Sequence, residues 1–523
     1  MGLIVTAEQF ANYHVGWTKT MTATNMKTTA VEKDSAVNSN EAVTGTGDQQ
    51  IPLVLDLDHT LLRTDTLYET FLAYLKQNPF GIFLVFLWLL KGRPFLKKRL
   101  GESATLEADV LPMNADVVEL ARAAHAEGRP IIIATAADES VAQQIAARMD
   151  MPVEIRASDG VKNLKGKKKA EALAEEFPQG FDYAGDSSAD LPVWRAARKA
   201  ILVGASGSTR RRAKAHGNVD QIIPGKSAAK ALIKAMRPHQ WAKNALIFVP
   251  AVLSGKIFDV SVWPALVLTF LAIGFVASAT YILNDAWDIR DDRRHWSKNK
   301  RPLASGDLPI LTGLAAVPFG LLIGFVLAFI VNPLVALTLG IYLVLTLAYS
   351  FRLKRLMIHD ALVLASLFTI RLALGTVAVA AVPSSWLFVF SMFFFLSLAL
   401  AKRHTEIARV IQRGDKAING RGYRPEDLPL VLSAGIASGI AAVVIMVLYI
   451  SEDAFRRSFS GDVEWLWGFP PLIFILVSRI WSVCQRGELA DDPVVFAVKD
   501  MQCRAVLAVA SVCFLMAWFG MPV

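Results

Sequence analysis

Two textures of apolar and polar positions divide the chain. From Ile51 to about residue 205, short apolar runs alternate with stretches of helical period: IPLVLDLD from Ile51, PIIIATA from Pro130, EIRAS from Glu154, FDYAG from Phe181 and AILVG from Ala200. Short strands separated by helices predict a parallel sheet with crossovers, a doubly wound α/β domain. Ligands of such sheets lie beyond the carboxyl ends of the strands, which is where the acidic residues of this region fall. After residue 240, long apolar runs recur near 245–255, 262–283, 309–330, 333–350, 358–380, 385–401, 428–450, 466–483 and 502–520. They predict an all-α polytopic membrane bundle of about nine helices, the first of them short.

Residues 1–50 have no sustained period and few large apolar side chains, and read as a flexible tail without a secretory signal. The apolar run Pro79–Leu90, followed by Lys91, Arg93, Lys97, Lys98 and Arg99, is too short to span a bilayer. It reads either as a buried helix of the α/β domain or as a membrane-contacting helix over 79–99 with Trp88 at headgroup level. The stretch 206–236, with GASGSTRRRAKAHG and PGKSAAKALIKA, reads as a basic linker and interfacial helix. The expected domains are therefore 51–205 and 237–523, joined by that linker.

Composition sharpens this division. Of 523 residues, 54% are apolar and 19% charged; the usual charged share of a soluble protein is about a quarter, so a wholly soluble enzyme is excluded. Cys484, Cys503 and Cys513 all lie in the late apolar region, which excludes a disulfide scaffold. The net charge of +9 is a membrane-topology signal and implies no nucleic acid partner. Basic residues crowd alternate loops, at Arg290–Arg301, Arg352–Arg355, Lys402–Arg424 and Arg486–Lys499, against only Lys256, Arg456 and Arg457 on the other side. That alternation fits an odd number of spans in the inner or plasma membrane, with the α/β domain cytoplasmic and the C-terminus outside.

The candidate chemistry falls into two constellations. Asp56-Leu57-Asp58-His59-Thr60 ends the first strand; Thr135 follows the second; Lys169 lies in Gly166-Lys167-Lys168-Lys169; Gly185-Asp186-Ser187-Ser188-Ala189-Asp190 closes the strand from Phe181. These clusters, in this order, resemble the four motifs of the haloacid dehalogenase superfamily over residues 51–205. The resemblance implies a phosphatase in which Asp56 is the nucleophile and Asp58 the acid and base. Thr135 and Lys169 hold phosphoryl oxygens, and Mg2+ is bound by Asp56, the Asp58 carbonyl and Asp186, with Asp190 assisting. His59 stands where the family usually has glycine.

In the second constellation, Asn284-Asp285-Ala286-Trp287-Asp288-Ile289-Arg290-Asp291-Asp292 ends an apolar span, and helical spacing puts Asp285, Asp288 and Asp292 on one face. Three stacked carboxylates repel one another unless cations lie between them, and Mg2+ with a diphosphate supplies these. With Lys298 and Arg301-Pro302-Leu303-Ala304-Ser305-Gly306, this stretch resembles the first signature of the UbiA superfamily of intramembrane prenyltransferases over ~230–523. A second region, Tyr349–Lys354 with Asp360, matches in layout but is poorer in acid.

The stretches from Met236 to Asn244, Lys402-Arg403 with Glu406, and Asp491 to Phe496 resemble the branch containing decaprenyl-phosphate phosphoribosyltransferase. The branch implies phosphoribosyl pyrophosphate as donor and polyprenyl phosphate as acceptor, with Asp285 and Asp288 catalytic and Asn284, Lys243, Lys298, Arg301, Lys354, Asp360, Lys402 and Arg403 binding substrate. Arg371, inside an apolar span, is expected to face the cavity. A fused phosphatase would then remove the 5-phosphate of the lipid-linked product. The alternatives are prenylation of an aromatic acceptor by a polyprenyl diphosphate, and a non-enzymatic transporter or scaffold.

Overall fold

The computed structural model describes residues 51–104, 106–158, 165–414, 421–453, 462–489 and 492–520. The expected tail, and Lys416, Arg456, Arg457 and Asp491, lie outside the described residues. Six strands, β1 (Leu53–Leu55), β2 (Ile131–Asp138), β3 (Glu154–Ser158), β4 (Asp182–Gly185), β5 (Lys199–Val203) and β6 (Val219–Ile223), make one parallel sheet ordered β3-β2-β1-β4-β5-β6. All three residues of β1 are buried, because central parallel strands are covered on both faces, and so it reads as a continuous apolar run. The chain leaves β1 toward β2 and later returns on the other side at β4, so Asp56 stands at a topological switch point.

The connection from β1 to β2 carries α1 (Thr66–Gln77), α2 (Ile82–Leu90), α3 (Arg93–Ser103) and α4 (Ala115–Ala126). Later strands are joined by α5 (Glu139–Ala146), α6 (Lys167–Glu176), α7 (Leu191–Ala196) and α8 (Gly207–Lys214). The stretch 206–236 is not the linker expected from its composition. Ser206 caps α8 by accepting from the Thr209 amide, and the basic side chains of α8 simply face solvent. The following VDQII pairs with β5 as the outer strand β6. Then α9 (Ala228–Met236) buries Ala231 and Ala235 in a cluster with Ile282, Ala286 and Leu308 of the membrane domain, rather than lying free on a lipid surface.

The membrane domain continues with α10 (Val249–Leu253), α11 (Trp263–Trp287), α12 (Ile289–Arg294), α13 (Ile310–Val331), α14 (Pro333–Phe351), α15 (His359–Ala378), α16 (Ser385–Arg413), α17 (Leu428–Glu452), α18 (Phe469–Gln485), α19 (Pro493–Lys499) and α20 (Met501–Phe519). Among the described residues, eight helices are long and apolar enough to cross a membrane: α11, α13 to α18 and α20. The ninth expected span, 245–255, takes another form. A 3-10 helix, Pro238–Phe248, runs into α10. At about 2.0 Å per 3-10 residue and 1.5 Å per α residue, the two cover roughly 30 Å.

Contacts show where that stretch goes. At its start Arg237 pairs with Asp285 near the end of α11, and just past its end Lys256 donates to the Val379 and Ala380 carbonyls beyond the far end of α15. Between these points the Ile247 carbonyl lies where a side chain on Gly375 would sit, so only glycine admits this approach. The stretch thus runs along the bundle between these two contacts, and the described residues hold eight long apolar helices where about nine were expected.

The two domains meet through ion pairs that belong to the basic loop after α11. Arg293 is buried against Glu69 of α1 at 2.5 Å, and Thr64 donates to the same carboxylate at 2.6 Å. Lys76 pairs with Asp291, Arg294 with Glu107, and Lys226 with Asp307. Arg63, in the loop that follows Asp58, packs its backbone against Gly306, where a Cβ would lie 2.5 Å from the Arg63 Cβ. These arginines therefore do more than mark topology: they dock the α/β domain on the bundle.

Candidate functional site

At the carboxyl end of β1, Asp56 Oδ1 accepts from Lys169 Nζ at 2.7 Å. Lys169, buried at the start of α6, also donates to the Ala134 carbonyl at 2.9 Å and to Tyr183 Oη at 3.1 Å. Tyr183 donates to Asp190 Oδ1 at 2.9 Å, while Asp190 Oδ2 accepts from the amides of Asp186 and Ser187. Asp56, Asp186 and Asp190 each bring a carboxylate oxygen within 4.8 Å of the others, the one such group of metal-ligating side chains among the described residues. Three hard oxygen donors at that spacing suit Mg2+.

Thr135 lies inside β2 rather than after it, buried beside Ala134, and its hydroxyl accepts from the Ala137 amide of the same strand at 3.0 Å. Asp58 lies apart from the triad, held by the Thr66 amide at 2.8 Å and hydroxyl at 3.3 Å. His59 has φ of 57°, a left-handed conformation that favours glycine, and here a histidine holds it. Burial pushes the Asp58 carboxyl up to about 7. Burial, with Asp190 alongside, pushes Asp186 up to about 8. Burial opposes the charge of Lys169, but Asp56 and Asp190 more than offset it and raise its pKa.

The second constellation is organised differently. Asp285 is buried in the last turn of α11, Asp288 sits at the break that follows, and Asp292 is buried in α12. Arg301 NH1 bridges Asp285 and Asp292, at 2.9 and 2.6 Å, and Arg237 binds both oxygens of Asp285 at 2.6 and 2.7 Å. Lys354 donates to Asp288 at 2.5 and 2.8 Å and reaches Asn284 at 3.5 Å. The acids are thus separated by the chain's own cations, and the stacked acidic face does not by itself demand a metal. The donor set remains oxygen-only and suits a hard cation, provided a diphosphate takes over the arginines and lysine.

Around this face lie further ion pairs. Asp360, fully buried, pairs with Arg403 at 2.6 Å and Arg421 at 3.3 Å and accepts from Tyr423 Oη at 2.5 Å. It serves to orient arginines, since none of its contacts leaves it open to a ligand. Glu406 takes the remaining arms of Arg403 and Arg421. Lys243 and Lys402 converge on Asp492 at 3.1 and 3.9 Å. Lys298 is half-buried with no ion pair among the described residues, and burial beside Arg301 lowers its pKa. Arg371 is buried between the rings of Tyr342 and Phe368 and donates to Asn244 at 3.0 Å.

Arg237, Arg421, Tyr423 and Tyr183 were absent from the expected site. Arg237 and Glu406 stood inside recognisable stretches, whereas Arg421 and Tyr423 reach Asp360 from 61 and 63 residues away, a pairing that spacing cannot reveal.

The sequence profile of the UbiA prenyltransferase family matches residues 246–499. Decaprenyl-phosphate phosphoribosyltransferase of Corynebacterium glutamicum is 32% identical over 307 residues, covering 57% of this chain and 90% of its own length. The chain belongs to the UbiA prenyltransferase family. Protein y4nM of Sinorhizobium fredii is 39% identical over 472 residues, covering 90% of this chain and 92% of its own. That alignment is far longer than the UbiA domain, so the similarity to y4nM runs into the α/β domain. The solved UbiA homologue of Archaeoglobus fulgidus bound to GPP and Mg2+ shares 13% identity at a TM-score of 0.43, covering 55% of this chain and 98% of that one.

Proposed function

We propose that the UbiA domain transfers phosphoribose from phosphoribosyl pyrophosphate to a polyprenyl phosphate, and that the α/β domain, acting as a haloacid dehalogenase-type phosphatase, removes the 5-phosphate of the product. The observation that carries this reading is the supply of cations: Arg237, Lys243, Lys298, Arg301, Lys354, Lys402, Arg403 and Arg421 surround the acidic face. A donor bearing a diphosphate and a 5-phosphate, opposite an acceptor that is itself a phosphate, needs such a supply; an aromatic acceptor does not. The likeness to decaprenyl-phosphate phosphoribosyltransferase supports the same choice.

In the transfer, an oxygen of the lipid phosphate bonds to the anomeric carbon as the bond to the diphosphate breaks. Arg237, Arg301 and Lys354 leave their aspartates to take the departing charge. In the hydrolysis, Asp56 attacks the 5-phosphorus, and the ribose oxygen leaves with the proton of Asp58. Asp58 then accepts a proton from the water that releases phosphate from Asp56. Lys169 holds Asp56 and a phosphoryl oxygen throughout. Asp56, Asp186 and Asp190 in one site, and Asp285, Asp288 and Asp292 in the other, are the residues that would hold Mg2+, which would neutralise charge on phosphate oxygens.

The test is donor use by the purified protein in lipid. Label from the ribose of phosphoribosyl pyrophosphate should enter a lipid product, and Asp285→Asn should abolish it. Incorporation of isoprenyl label into an aromatic acceptor, with no ribose label, would overturn the reading.

A further inference from the structure

The connection from β1 to β2 holds a surface that neither active site uses. Helix α2, reached from α1 through Pro79–Gly81, is apolar around its whole circumference. One stripe faces the protein: Val85 is buried, Trp88 meets the Tyr74 ring at 5.4 Å, and Gly81 abuts Tyr74. Everything else points outward, with Phe80 85%, Phe83 71%, Phe86 62% and Leu90 70% exposed. An apolar surface of this density is otherwise found in this protein on the outer faces of the long membrane helices, such as Phe319, Phe329 and Ile330 of α13. The reading of 79–90 as a buried helix is therefore incorrect.

Three observations say what covers this surface. First, α1 packs against α11 and α13, and Lys76, near its end, pairs with Asp291 just beyond α11. The end of α1, from which α2 follows, is thereby held at the end of the bundle where the basic loops lie, and α13, against which α1 packs, is the least buried of the eight long helices. Second, nine residues rise only about 13 Å, too little to cross a bilayer but enough to lie within one leaflet. Third, the helix is followed by the exposed cations Lys91, Lys97, Lys98 and Arg99, with Lys91 and Arg99 stacked on the Phe95 ring. Apolar residues bordered by cations match acyl chains beneath anionic headgroups.

We infer that α2 is inserted in the cytoplasmic leaflet of the membrane, so that the segment between Asp58 and β2 is a lipid anchor holding the Asp56 site at the headgroup plane. The anchor gives the proposed phosphatase access to a phosphate that never leaves the lipid surface; that consequence rests on the proposed function, whereas the insertion does not.

Insertion is tested with the full chain in nanodiscs of phosphatidylcholine and phosphatidylglycerol, spin-labelled singly at Phe83→Cys, Phe86→Cys, Leu90→Cys and Lys98→Cys. The native cysteines are buried, and the unsubstituted chain gives the background. Labels at 83, 86 and 90 should collide at least several-fold more with oxygen than with a water-soluble nickel chelate, and the label at 98 should show the reverse preference. Equal access of the chelate to all four sites would overturn the inference by placing α2 in water. Protection from both reagents, with dipolar broadening between labels, would overturn it in favour of a second copy of this chain. Agreement among three independent positions guards against one substitution disturbing the helix. Because the readout needs no turnover, it can fail while the phosphatase reading stands, and the reverse.

Discussion

The two acidic centres of this chain use the same residue type in opposite ways. In the α/β domain, Asp56, Asp186 and Asp190 approach within 4.8 Å of one another with one lysine among them. In the membrane domain, Asp285, Asp288 and Asp292 are spaced along the end of α11 and the start of α12, each on an arginine or lysine. The first arrangement leaves negative charge uncompensated, which is why burial drives Asp186 up to about 8 in the absence of a cation. In the second, each carboxylate already has an arginine or lysine of the chain against it. On the proposed function, the first cluster, with its single lysine, would take a metal ion, and the cations of the second would be released to a polyanionic substrate.

The largest effect that would sharpen this contrast is at Asp56, the proposed nucleophile. Asp56→Asn should reduce phosphate release at least ~10³-fold, the scale of losing a nucleophile, while ribose transfer to lipid is unchanged. Loss of both activities would mean that the centres are not separate.

The seam between them comes next. Glu69→Gln leaves Arg293 buried without its counter-charge, which costs about 3–5 kcal/mol for a pair of this burial. It should appear as a lowered unfolding midpoint of the α/β domain and as its earlier proteolysis. An unchanged midpoint would show that the pair does not dock the domains.

Arg301→Gln should slow transfer about 10²-fold, because the group that bridges two aspartates is the one offered to the departing diphosphate. Hydrolysis of a small soluble phosphate monoester by the same variant should not change. Smallest is Lys354→Met, with a loss of about 10-fold in transfer, largely restored by Lys354→Arg. Equal activity of the Met and Arg variants would remove Lys354 from the charge supply.

Legibility in the sequence followed the range of the physics. Inner strands such as β2 and β5 were visible because buried parallel strands are apolar, as IIIA and AILV are, while the outer β3 showed only as the short run EIRAS, with Glu154 exposed. The sixth, VDQII, was not visible: an outer strand with Asp220 and Gln221 exposed carries too little apolar signal. Nor was α8, whose RRR run looks like a linker because its buried residues are Thr209 and Ala213. Of the three adjacent lysines, Lys167 and Lys168 are exposed, and Lys169, the one that the resemblance implied, is buried and donates to Asp56.

The acidic face of the membrane site was equally visible, but its neutralisation was not. Arg237 and Lys354 come from segments 48 and 66 residues away from their partners, and only tertiary packing brings them there. The stretch 245–255 was visible as apolar, but not the 3-10 helix Pro238–Phe248 that leads into it nor the close approach of Ile247 to Gly375, which only tertiary packing sets. Whether Pro79–Leu90 was inside or outside the α/β core depended on what α1 packs against, which periodicity does not carry.

The central claim is that the two centres act in sequence on one lipid. It is tested most directly by supplying phosphoribosyl pyrophosphate labelled with tritium in the ribose and with phosphorus-32 at the 5-phosphate, together with polyprenyl phosphate, to the purified protein and to Asp56→Asn. The native protein should give a lipid carrying tritium without phosphorus-32, with the phosphorus-32 recovered as free phosphate. Asp56→Asn should give a lipid carrying both labels in equal molar amounts. Equal retention of both labels by the native protein, or no label in lipid from either, would contradict the account.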